Sequence, residues 1–268
     1  MRSVSDLMSL RGRVALITGG AGHIGRAIAS TFAELGAAIV ILDQTESAAE
    51  SVAQSLTETH GVLATALCVD LTDEASLRKV PQRVVETCGR LDIVVNNAAF
   101  VGTDNLEGWT APIENQSIET WRQALEVNLT APFLLTQQSI PFLKASGKGT
   151  VINVGSIYGV LGPDWSLYNG ETISGTPAAY GASKGGLLQM TRWLATTLAP
   201  DVRVNAIVPG GVERDTPEEF RQRYVARTPM NRMAREEDMK GVAAFLASDM
   251  SAYITGQCIM VDGGWSAW

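Results

Sequence analysis

The sequence predicts an α/β protein with a doubly wound, parallel β-sheet, and three observations lead to this fold class. Short apolar runs rich in Val and Ile alternate with longer segments of helical period along the whole chain. A unit of strand, turn and helix recurs from the first run onward. No Pro/Ser-rich linker or internal repeat interrupts the 268 residues, so we expect residues 1–268 to form a single domain.

Seven apolar runs are predicted as strands. The second ends at Asp43, the third at Asp70, and the fourth runs into an Asn-Asn-Ala-Ala segment. Right-handed crossovers would place these polar ends at one edge of the sheet, where ligands bind in this fold class. The predicted strands are residues 14–17, 39–42, 63–69, 91–95, 150–154, 202–208 and 258–261.

The segments between the strands have helical periodicity. Residues 26–35 are followed by Gly36, which is typical of a helix C-terminus. The stretch 117–144 contains Pro132 and Pro141, so we expect kinks there. The other predicted helices are a polar segment between the second and third strands, residues 178–198 and residues 236–247.

Composition excludes several classes of partner. The net charge of −7 argues against a nucleic-acid groove or an anionic membrane surface, so a small molecule is the expected partner. Residues 1–12 carry charges and no long apolar core, and no later segment is apolar enough to span a bilayer. Cys68, Cys88 and Cys258 are odd in number and lie in or beside apolar segments, which favours buried reduced thiols in the cytoplasm over a disulfide, a metal site or a nucleophile.

A glycine-rich turn follows the first strand and opens the first helix. In this context Gly19 permits the tight turn, Gly25 lets helix and strand pack closely, and the helix N-terminus offers amides to a pyrophosphate. The alternative is an ordinary turn between a strand and a helix.

Asp43, at the tip of the second strand, indicates which dinucleotide is bound. Its carboxylate can accept hydrogen bonds from both hydroxyls of an adenosine ribose and would repel a 2′-phosphate, so we expect NAD(H) rather than NADP(H). Two alternatives stay open: Asp43 only caps the next helix, or His23 or Arg26 offsets its charge and admits the phosphate.

Tyr180 and Lys184 lie four residues apart, as neighbours on one helical face. A free tyrosine loses its proton near pH ~10, so a base near neutrality needs a pKa shift of about three units, or roughly 4 kcal/mol. A nearby ammonium supplies part of that shift. Taken alone, the pair also occurs on solvated helices, so its meaning depends on the rest of the chain.

Several further motifs occur in a fixed order and together resemble the short-chain dehydrogenase/reductase family. The resemblance covers nearly all of the chain and implies a Rossmann-type fold, a nicotinamide dinucleotide cofactor and a homo-oligomer, usually a tetramer. The motifs are the turn at residues 18–25, Asn-Asn-Ala-Ala at 96–99, Asn128, Ser156, Tyr180 with Lys184, Pro209 with Gly210, Thr-Gly-Gln at 255–257 and Val-Asp-Gly-Gly at 261–264.

The resemblance assigns four catalytic roles. Tyr180 would exchange a proton with the substrate oxygen, and Ser156 would hydrogen-bond that oxygen. Lys184 would anchor the nicotinamide ribose and depress the pKa of Tyr180. Asn128 would distort its helix and hold a water of the proton relay, although by itself it also fits a buried residue that kinks a helix.

Cofactor contacts also follow from the resemblance, with Asp70 and Leu71 bordering the adenine and Val212 near the nicotinamide amide. His23 stands where the family usually has a glycine. Arg214 stands where a threonine is usual, and Thr216 is a substitute for it. The implied cofactor residues are Gly19, His23, Ile24, Gly25, Asp43, Asp70, Leu71, Asn96, Asn97, Ala98, Tyr180, Lys184, Pro209, Gly210 and Val212.

An insertion separates two of the implied catalytic residues. Ser156 precedes Tyr180 by 24 residues, about twice the gap usual in the family. The extra segment, residues 163–174, contains Trp165, Tyr168 and Glu171. Aromatic faces with an acid suit a sugar or polyol, so we expect a substrate contact, and packing at a subunit interface is the alternative.

Residues 213–235, which fold over the substrate in relatives, carry a local excess of arginines. One interpretation is that one or two of them, Arg214 first, bind a phosphate or carboxylate of the substrate. The other is a solvated helix whose arginines pair with neighbouring glutamates, which exposed charge runs commonly do. The arginines are Arg214, Arg221, Arg223, Arg227, Arg232 and Arg235.

These observations predict an NAD(H)-dependent oxidoreductase that interconverts a secondary alcohol and a ketone, of class EC 1.1.1.-, with a sugar or polyol-like substrate. Two rival functions remain. A sugar-nucleotide epimerase or dehydratase would need a longer C-terminal substrate domain. A redox sensor that holds a dinucleotide without turnover would commonly lack the catalytic tyrosine or lysine.

Overall fold

One parallel β-sheet organises the protein in the computed structural model, which describes residues 1–101, 106–168 and 175–268. Over these ranges seven strands lie in the order β3-β2-β1-β4-β5-β6-β7. The order reverses between β1 and β4, which creates the crevice where ligands bind in such sheets. The strands are β1 (Val14–Thr18), β2 (Ala38–Asp43), β3 (Ala64–Cys68), β4 (Ile93–Asn96), β5 (Gly149–Val154), β6 (Val202–Pro209) and β7 (Cys258–Val261).

Helices connect the strands, and the first helix after β1 begins three residues earlier than predicted, at His23 with Gly22 as its N-cap. The predicted strands and helices are present with small shifts of their ends. The helices are α1 (Val4–Met8), α2 (His23–Glu34), α3 (Glu46–His60), α4 (Glu74–Leu77), α5 (Val80–Cys88), α6 (Ile118–Leu125), α7 (Ala131–Ser146), α8 (Ala178–Leu198), α9 (Glu218–Arg227) and α10 (Asp238–Ala247).

Two apolar cores cover the two faces of the sheet. Helices α2, α3 and α10 pack on one face, where Phe32 and Met239 are fully buried. Helices α5, α7 and α8 pack on the other, through residues such as Val84, Leu135 and Leu194. Because both faces are covered, the central strands are mostly apolar runs rather than alternating ones, as expected for a parallel sheet. The predicted doubly wound fold is confirmed.

The long helical stretch is interrupted near its middle. A π-helical turn, Glu126–Thr130, separates α6 from α7. Pro132 lies in the first turn of α7, where its missing N–H leaves no gap in the hydrogen bonding, and Pro141 lies inside that helix. The expected distortion is therefore present, and it is located at the π-helical turn that carries Asn128.

The three cysteines are free thiols. Cys88 and Cys258 are half-buried, but Cys68 is exposed, contrary to the prediction of buried thiols. It ends β3, which is an edge strand and so lacks a neighbour on one side. Within the described ranges, no helix is long and apolar enough to cross a membrane.

Candidate active site

A cleft of about 1410 Å³ lies at the carboxyl edge of the sheet. Residues that follow five different strands line it, including Gly19, Asp43, Asn97, Ser156 and Gly210. The fold therefore brings together side chains that are far apart in sequence. The predicted residues that line the cleft are Gly19, His23, Ile24, Asp43, Asp70, Leu71, Asn97, Ala98, Ser156, Tyr168, Tyr180, Lys184, Pro209, Gly210, Val212, Arg214 and Thr216.

The glycine-rich turn is shaped by close backbone contacts. Gly19 has a φ of +59°, and a Cβ there would lie 2.9 Å from the Cα of Ala98. A Cβ on Gly25 would overlap the carbonyl oxygen of Gly19. Gly25 packs against the backbone of the turn and does not itself line the cleft, which fits its predicted packing role, and its predicted cofactor contact stays a prediction. The bare turn at the start of α2 fits a dinucleotide pyrophosphate.

Asn96 and Asn97 face opposite sides of the end of β4. The side chain of Asn97 donates to the carbonyls of Thr18 and Gly19, both at 3.0 Å, and holds the glycine-rich turn. Asn96 is 2% exposed, and its amide donates to Asn153 in the core. The predicted cleft contact of Asn96 is therefore wrong, because successive side chains of a strand alternate in direction.

At the end of β2 the carboxylate of Asp43 accepts hydrogen bonds from the amides of Ala21, at 3.2 Å, and Thr45, at 3.3 Å. The two residues considered as phosphate ligands have other contacts. Arg26 donates to the carbonyl of Ala21 at 2.8 Å, and the Nδ1 of His23 lies 3.4 Å from Glu236. The described residues that line this end of the cleft include no lysine or arginine.

Tyr180 lies at the other end of the cleft, which Ser156 also lines. Burial raises the pKa of Tyr180, while the hydroxyl of Ser156 and the charge of Arg214 lower it by a smaller amount. At neutral pH this phenol holds its proton. The pair can thus hold a polar oxygen of a ligand and exchange a proton with it.

Lys184 is buried beside this pair, and its ammonium lies 5.8 Å from the centre of the Tyr180 ring. It donates a hydrogen bond to the carbonyl of Val154 at 2.8 Å. Burial lowers the pKa of Lys184 to about 8. Ser156 and Arg214 are the residues that lower the pKa of Tyr180 in this geometry, and the effect of Lys184 on it stays a prediction.

Asn128 is fully buried in the π-helical turn and does not line the cleft. Its Oδ1 accepts from the backbone amide of Phe100 at 2.7 Å, and its Nδ2 donates to the hydroxyl of Ser183 at 3.0 Å. It therefore ties the π-helical turn to the segment after β4 and to α8. This arrangement fits both interpretations of its sequence motif, and its part in a proton relay stays a prediction.

The insertion places Tyr168 in the cleft. Its hydroxyl is 2.7 Å from the hydroxyls of both Tyr158 and Thr176, which also line the cleft and which the sequence analysis missed. The position of Tyr158, two residues after Ser156, was the available signal. Trp165 is 59% exposed and is not among the described residues that line the cleft, so its predicted substrate contact stays a prediction. Glu171 is outside the described residues.

An aromatic ladder fixes the described part of the insertion. Trp165 packs on Tyr168 with ring centres 5.9 Å apart, Tyr168 packs on Phe220 at 5.5 Å, and Phe220 on Tyr224 at 5.9 Å. Tyr224 then stacks on Trp265 at 4.3 Å. The ladder joins the insertion to α9 and to the C-terminal segment, and its middle members Tyr168, Phe220 and Tyr224 line the cleft.

Four of the six arginines between residues 213 and 235 form short ion pairs: Arg221 with Glu218, Arg223 with Glu219, Arg227 with Asp164 and Arg232 with Asp238. Arg221 and Arg223 pair with neighbouring glutamates as that interpretation expects, whereas Arg227 and Arg232 pair with aspartates instead. Arg214 differs because it lines the cleft. Its nearest carboxylate oxygen, on Glu236, is 3.8 Å from its Nε.

Comparison with known proteins agrees with this geometry. A family model described as enoyl-(acyl carrier protein) reductase matches residues 19–266. A 3-oxoacyl-[acyl-carrier-protein] reductase of Thermotoga maritima is 34% identical over 262 residues, which cover 96% of this chain and 99% of the relative. The chain belongs to the short-chain dehydrogenase/reductase family. It is therefore a member of a family of oxidoreductases that share this Rossmann-type sheet.

Similar solved structures carry nicotinamide cofactors. A gluconate 5-dehydrogenase from Burkholderia cenocepacia, in complex with NADP and tartrate, has a TM-score of 0.88 and 30% identity, over 99% of this chain and 100% of that one. An NAD+-bound xylitol dehydrogenase has a TM-score of 0.84 and 30% identity, over 95% of this chain and 99% of that one. These structures support a nicotinamide dinucleotide in the cleft of this short-chain dehydrogenase/reductase.

Proposed function

We propose that the protein is an NAD(H)-dependent oxidoreductase that interconverts a secondary alcohol and a ketone on a sugar or polyol-like substrate. The observation that carries the proposal is one continuous cleft with a bare glycine-rich turn at one end and Tyr180 and Ser156 at the other. When bound, the nicotinamide would supply the hydride acceptor or donor that the chain's own side chains lack.

The residues at the reacting end have different roles at the substrate oxygen and around it. The phenol of Tyr180 gives its proton to a ketone oxygen in reduction and takes the alcohol proton in oxidation. Ser156 hydrogen-bonds the same oxygen and orients it toward Tyr180. Lys184 lines the cleft and offers donors to a ribose hydroxyl, while Asn128 holds the π-helical turn in place.

The choice of NAD(H) over NADP(H) rests on the charge around Asp43. A 2′-phosphate there would lie beside a carboxylate, and Gln44 and Asp70 line the same part of the cleft without adding positive charge. Arg26 and His23 are engaged by Ala21 and Glu236. Because placing the doubly charged 2′-phosphate beside these carboxylates costs free energy, the site favours the unphosphorylated ribose of NAD(H).

The substrate class rests on the hydroxyls of Tyr158, Tyr168 and Thr176. They form a chain of hydrogen bonds on the wall of the cleft, beside the aromatic ladder. Hydroxyl groups of this kind both donate and accept, which suits a ligand with several hydroxyls of its own. The gluconate and xylitol dehydrogenases of similar structure act on such compounds, which supports the proposal.

We further propose that the protein works as a homotetramer in the cytoplasm. Family members usually assemble through their two long central helices, and here Phe133 of α7 and Trp193 of α8 are 41% and 58% exposed. Apolar surface on those helices is what such an interface would cover. Light scattering on the purified protein would measure the mass, and a monomer at micromolar concentration would contradict this assembly.

The function is tested by following the near-ultraviolet absorbance of reduced nicotinamide while NAD or NADP is offered with polyols, sugars, sugar acids and cyclic alcohols. We expect turnover with NAD on at least one polyol-like alcohol, and loss of that turnover in Tyr180→Phe. Tight cofactor binding without turnover on any alcohol or ketone would instead favour a redox sensor.

A further inference from the structure

Arg214 lies in the same part of the cleft as the reacting tyrosine. It follows β6 on the segment that enters α9, and it lines the cleft together with Tyr180 and Thr216. Its charge acts on the phenol, where it opposes the effect of burial on the pKa of Tyr180. A ligand that contacts Tyr180 would therefore lie close to the guanidinium of Arg214.

Among the described residues, the guanidinium N–H groups of Arg214 are available to bind a ligand. Arginine carries five N–H donors in a planar fork, and in the described part of the chain none of those of Arg214 makes a hydrogen bond. Glu236 attracts it from 3.8 Å, but the same carboxylate oxygen lies closer to His23, at 3.4 Å. By contrast, Arg221 donates two short hydrogen bonds to Glu218.

The negative charge of the protein bears on the position of Arg214 in the cleft. The chain carries a net charge of −7, and Glu119, Glu126 and Asp215 also line the cleft. The other arginine and lysine that line it in the described ranges have partners: Arg122 lies 3.6 Å from Glu119, and Lys184 donates to the carbonyl of Val154. An anionic substrate would be repelled unless a cation met it locally. A planar fork with free donors matches a carboxylate, which it can bind through two parallel hydrogen bonds.

We propose that Arg214 binds a carboxylate of the substrate, so that the compounds turned over are hydroxy acids and the corresponding keto acids. The inference rests on the proposed function and adds to it the anionic group that sets specificity. The carboxylate lies against the guanidinium while the reacting carbon faces Tyr180, and the hydroxyl chain of Tyr158, Tyr168 and Thr176 receives the remaining hydroxyls.

The test compares hydroxy acids with the primary amides of the same acids, using linear sugar acids and cyclic hydroxy acids with NAD. In the native enzyme we expect kcat/KM for the acid to exceed that for its amide by about 10- to 100-fold, the range of a charge-assisted hydrogen bond. Arg214→Gln should reduce this ratio to near one. The ratio cancels any effect of the substitution on Tyr180, which acts on both substrates alike.

Arg221→Gln is the matched control, because it removes an arginine of the same segment that is paired with Glu218 and lies outside the cleft. It should keep the preference for acids. Turnover without that preference, a preference retained in Arg214→Gln, or a stronger preference for phosphate esters would overturn the inference and leave the proposed oxidoreductase intact.

A binding measurement separates the inference from the proposed function. The same acids and amides are titrated into the enzyme saturated with NADH, and the equilibrium constants are measured by calorimetry. Binding of the acids that weakens in Arg214→Gln and not in Arg221→Gln supports the site even if no turnover is seen. Absence of such a difference overturns it.

Discussion

Neighbouring groups shift the pKa of Tyr180 in opposite directions, and the balance decides at which pH it can act as an acid or a base. Burial raises its pKa above the ordinary 10.0, and the hydroxyl of Ser156 and the charge of Arg214 act in the other direction. The hydroxyl of Tyr168 adds to the rise. Burial therefore favours the protonated phenol, which is the form that reduction needs.

The pH dependence follows from this balance. Oxidation needs the phenolate, so its kcat/KM should rise with pH, while reduction needs the phenol and should fall only on the alkaline side. Arg214→Gln removes a charge that lowers the pKa of Tyr180, so both profiles should move to higher pH. Lys184, with a pKa lowered to about 8, titrates in part of this range in both proteins. Profiles that coincide for the two proteins, or that move to lower pH, would contradict the account.

Asp43 should set the choice between the two dinucleotides. Asp43→Asn keeps the shape and removes the charge, so KM for NAD should rise about tenfold and the discrimination against NADP should shrink. Asp73→Asn is the control, because Asp73 is also an acid after a strand but only caps α4. Steady-state kinetics with both cofactors give the answer. An unchanged ratio of the two kcat/KM values would show that another residue selects the cofactor.

Single residues were the hardest part to predict from the sequence. The family resemblance assigned Ser156 and Tyr180 to one site, and both residues line the cleft. It could not separate Asn96 from Asn97, since one residue of register decides which side chain faces the core. Trp165 and Tyr168 are equally aromatic, and only the packing of Tyr168 on Phe220 turns one of them into the cleft.

At the scale of elements, the glycine-rich turn depends on two missing side chains. In Gly25→Ala the new Cβ would overlap the carbonyl of Gly19, so the turn would shift and lose its fit to a pyrophosphate. We expect a destabilisation of about 1–3 kcal/mol and a loss of the thermal stabilisation that NAD provides. Melting curves with and without NAD measure both effects.

Gly241→Ala is the matched control for that substitution. Gly241 is exposed in α10, and a Cβ there meets nothing within 4 Å. It should be neutral or stabilising by up to about 1 kcal/mol, because alanine favours a helix more than glycine does. If Gly25→Ala behaved like this control, the close approach of α2 to the turn would not matter for binding.

The strands were predictable because most are buried apolar runs of ordinary length, and the edge strands β3 and β7 are partly exposed. The interruption between α6 and α7 was foreseen only in part. Pro132 and Pro141 signalled a distortion, but the π-helical turn is fixed by the hydrogen bonds of Asn128 to Phe100 and Ser183, which are distant in sequence. Contacts between residues so far apart in sequence leave no recognisable pattern in the local sequence.

At the scale of the whole molecule, Asp249 connects distant parts of the chain. It forms ion pairs with Arg2 at 2.6 Å, with Lys148 at 3.4 Å and with Arg13, which is 4% exposed. Burial acts to raise the pKa of Asp249, but the hydrogen bonds from Arg2 and Arg13 lower it on balance. The N-terminal segment, β1 and the segments before β5 and after α10 are thus joined at one carboxylate.

Asp249→Asn should destabilise the fold by about 3 kcal/mol, because the buried charge of Arg13 would lose its partner. Since the folded pKa of Asp249 lies below its ordinary 3.8, the stabilisation is complete above that pH and is lost as the pH falls through the lowered value. Denaturant unfolding at neutral pH measures the effect. Asp201→Asn, which breaks an exposed pair with Lys144, should cost less than about 1 kcal/mol. Equal effects of the two substitutions would contradict the role of Asp249.

The measurement that tests the central claim most directly compares the native protein with Tyr180→Phe in the oxidation of an accepted alcohol by NAD, followed by the absorbance of the NADH formed. The substitution removes one hydroxyl, so NAD should bind both proteins with the same affinity while the rate falls by about 10²- to 10⁴-fold. A Tyr180→Phe protein that keeps the native rate would contradict the assignment of the reacting end of the cleft and the function proposed from it.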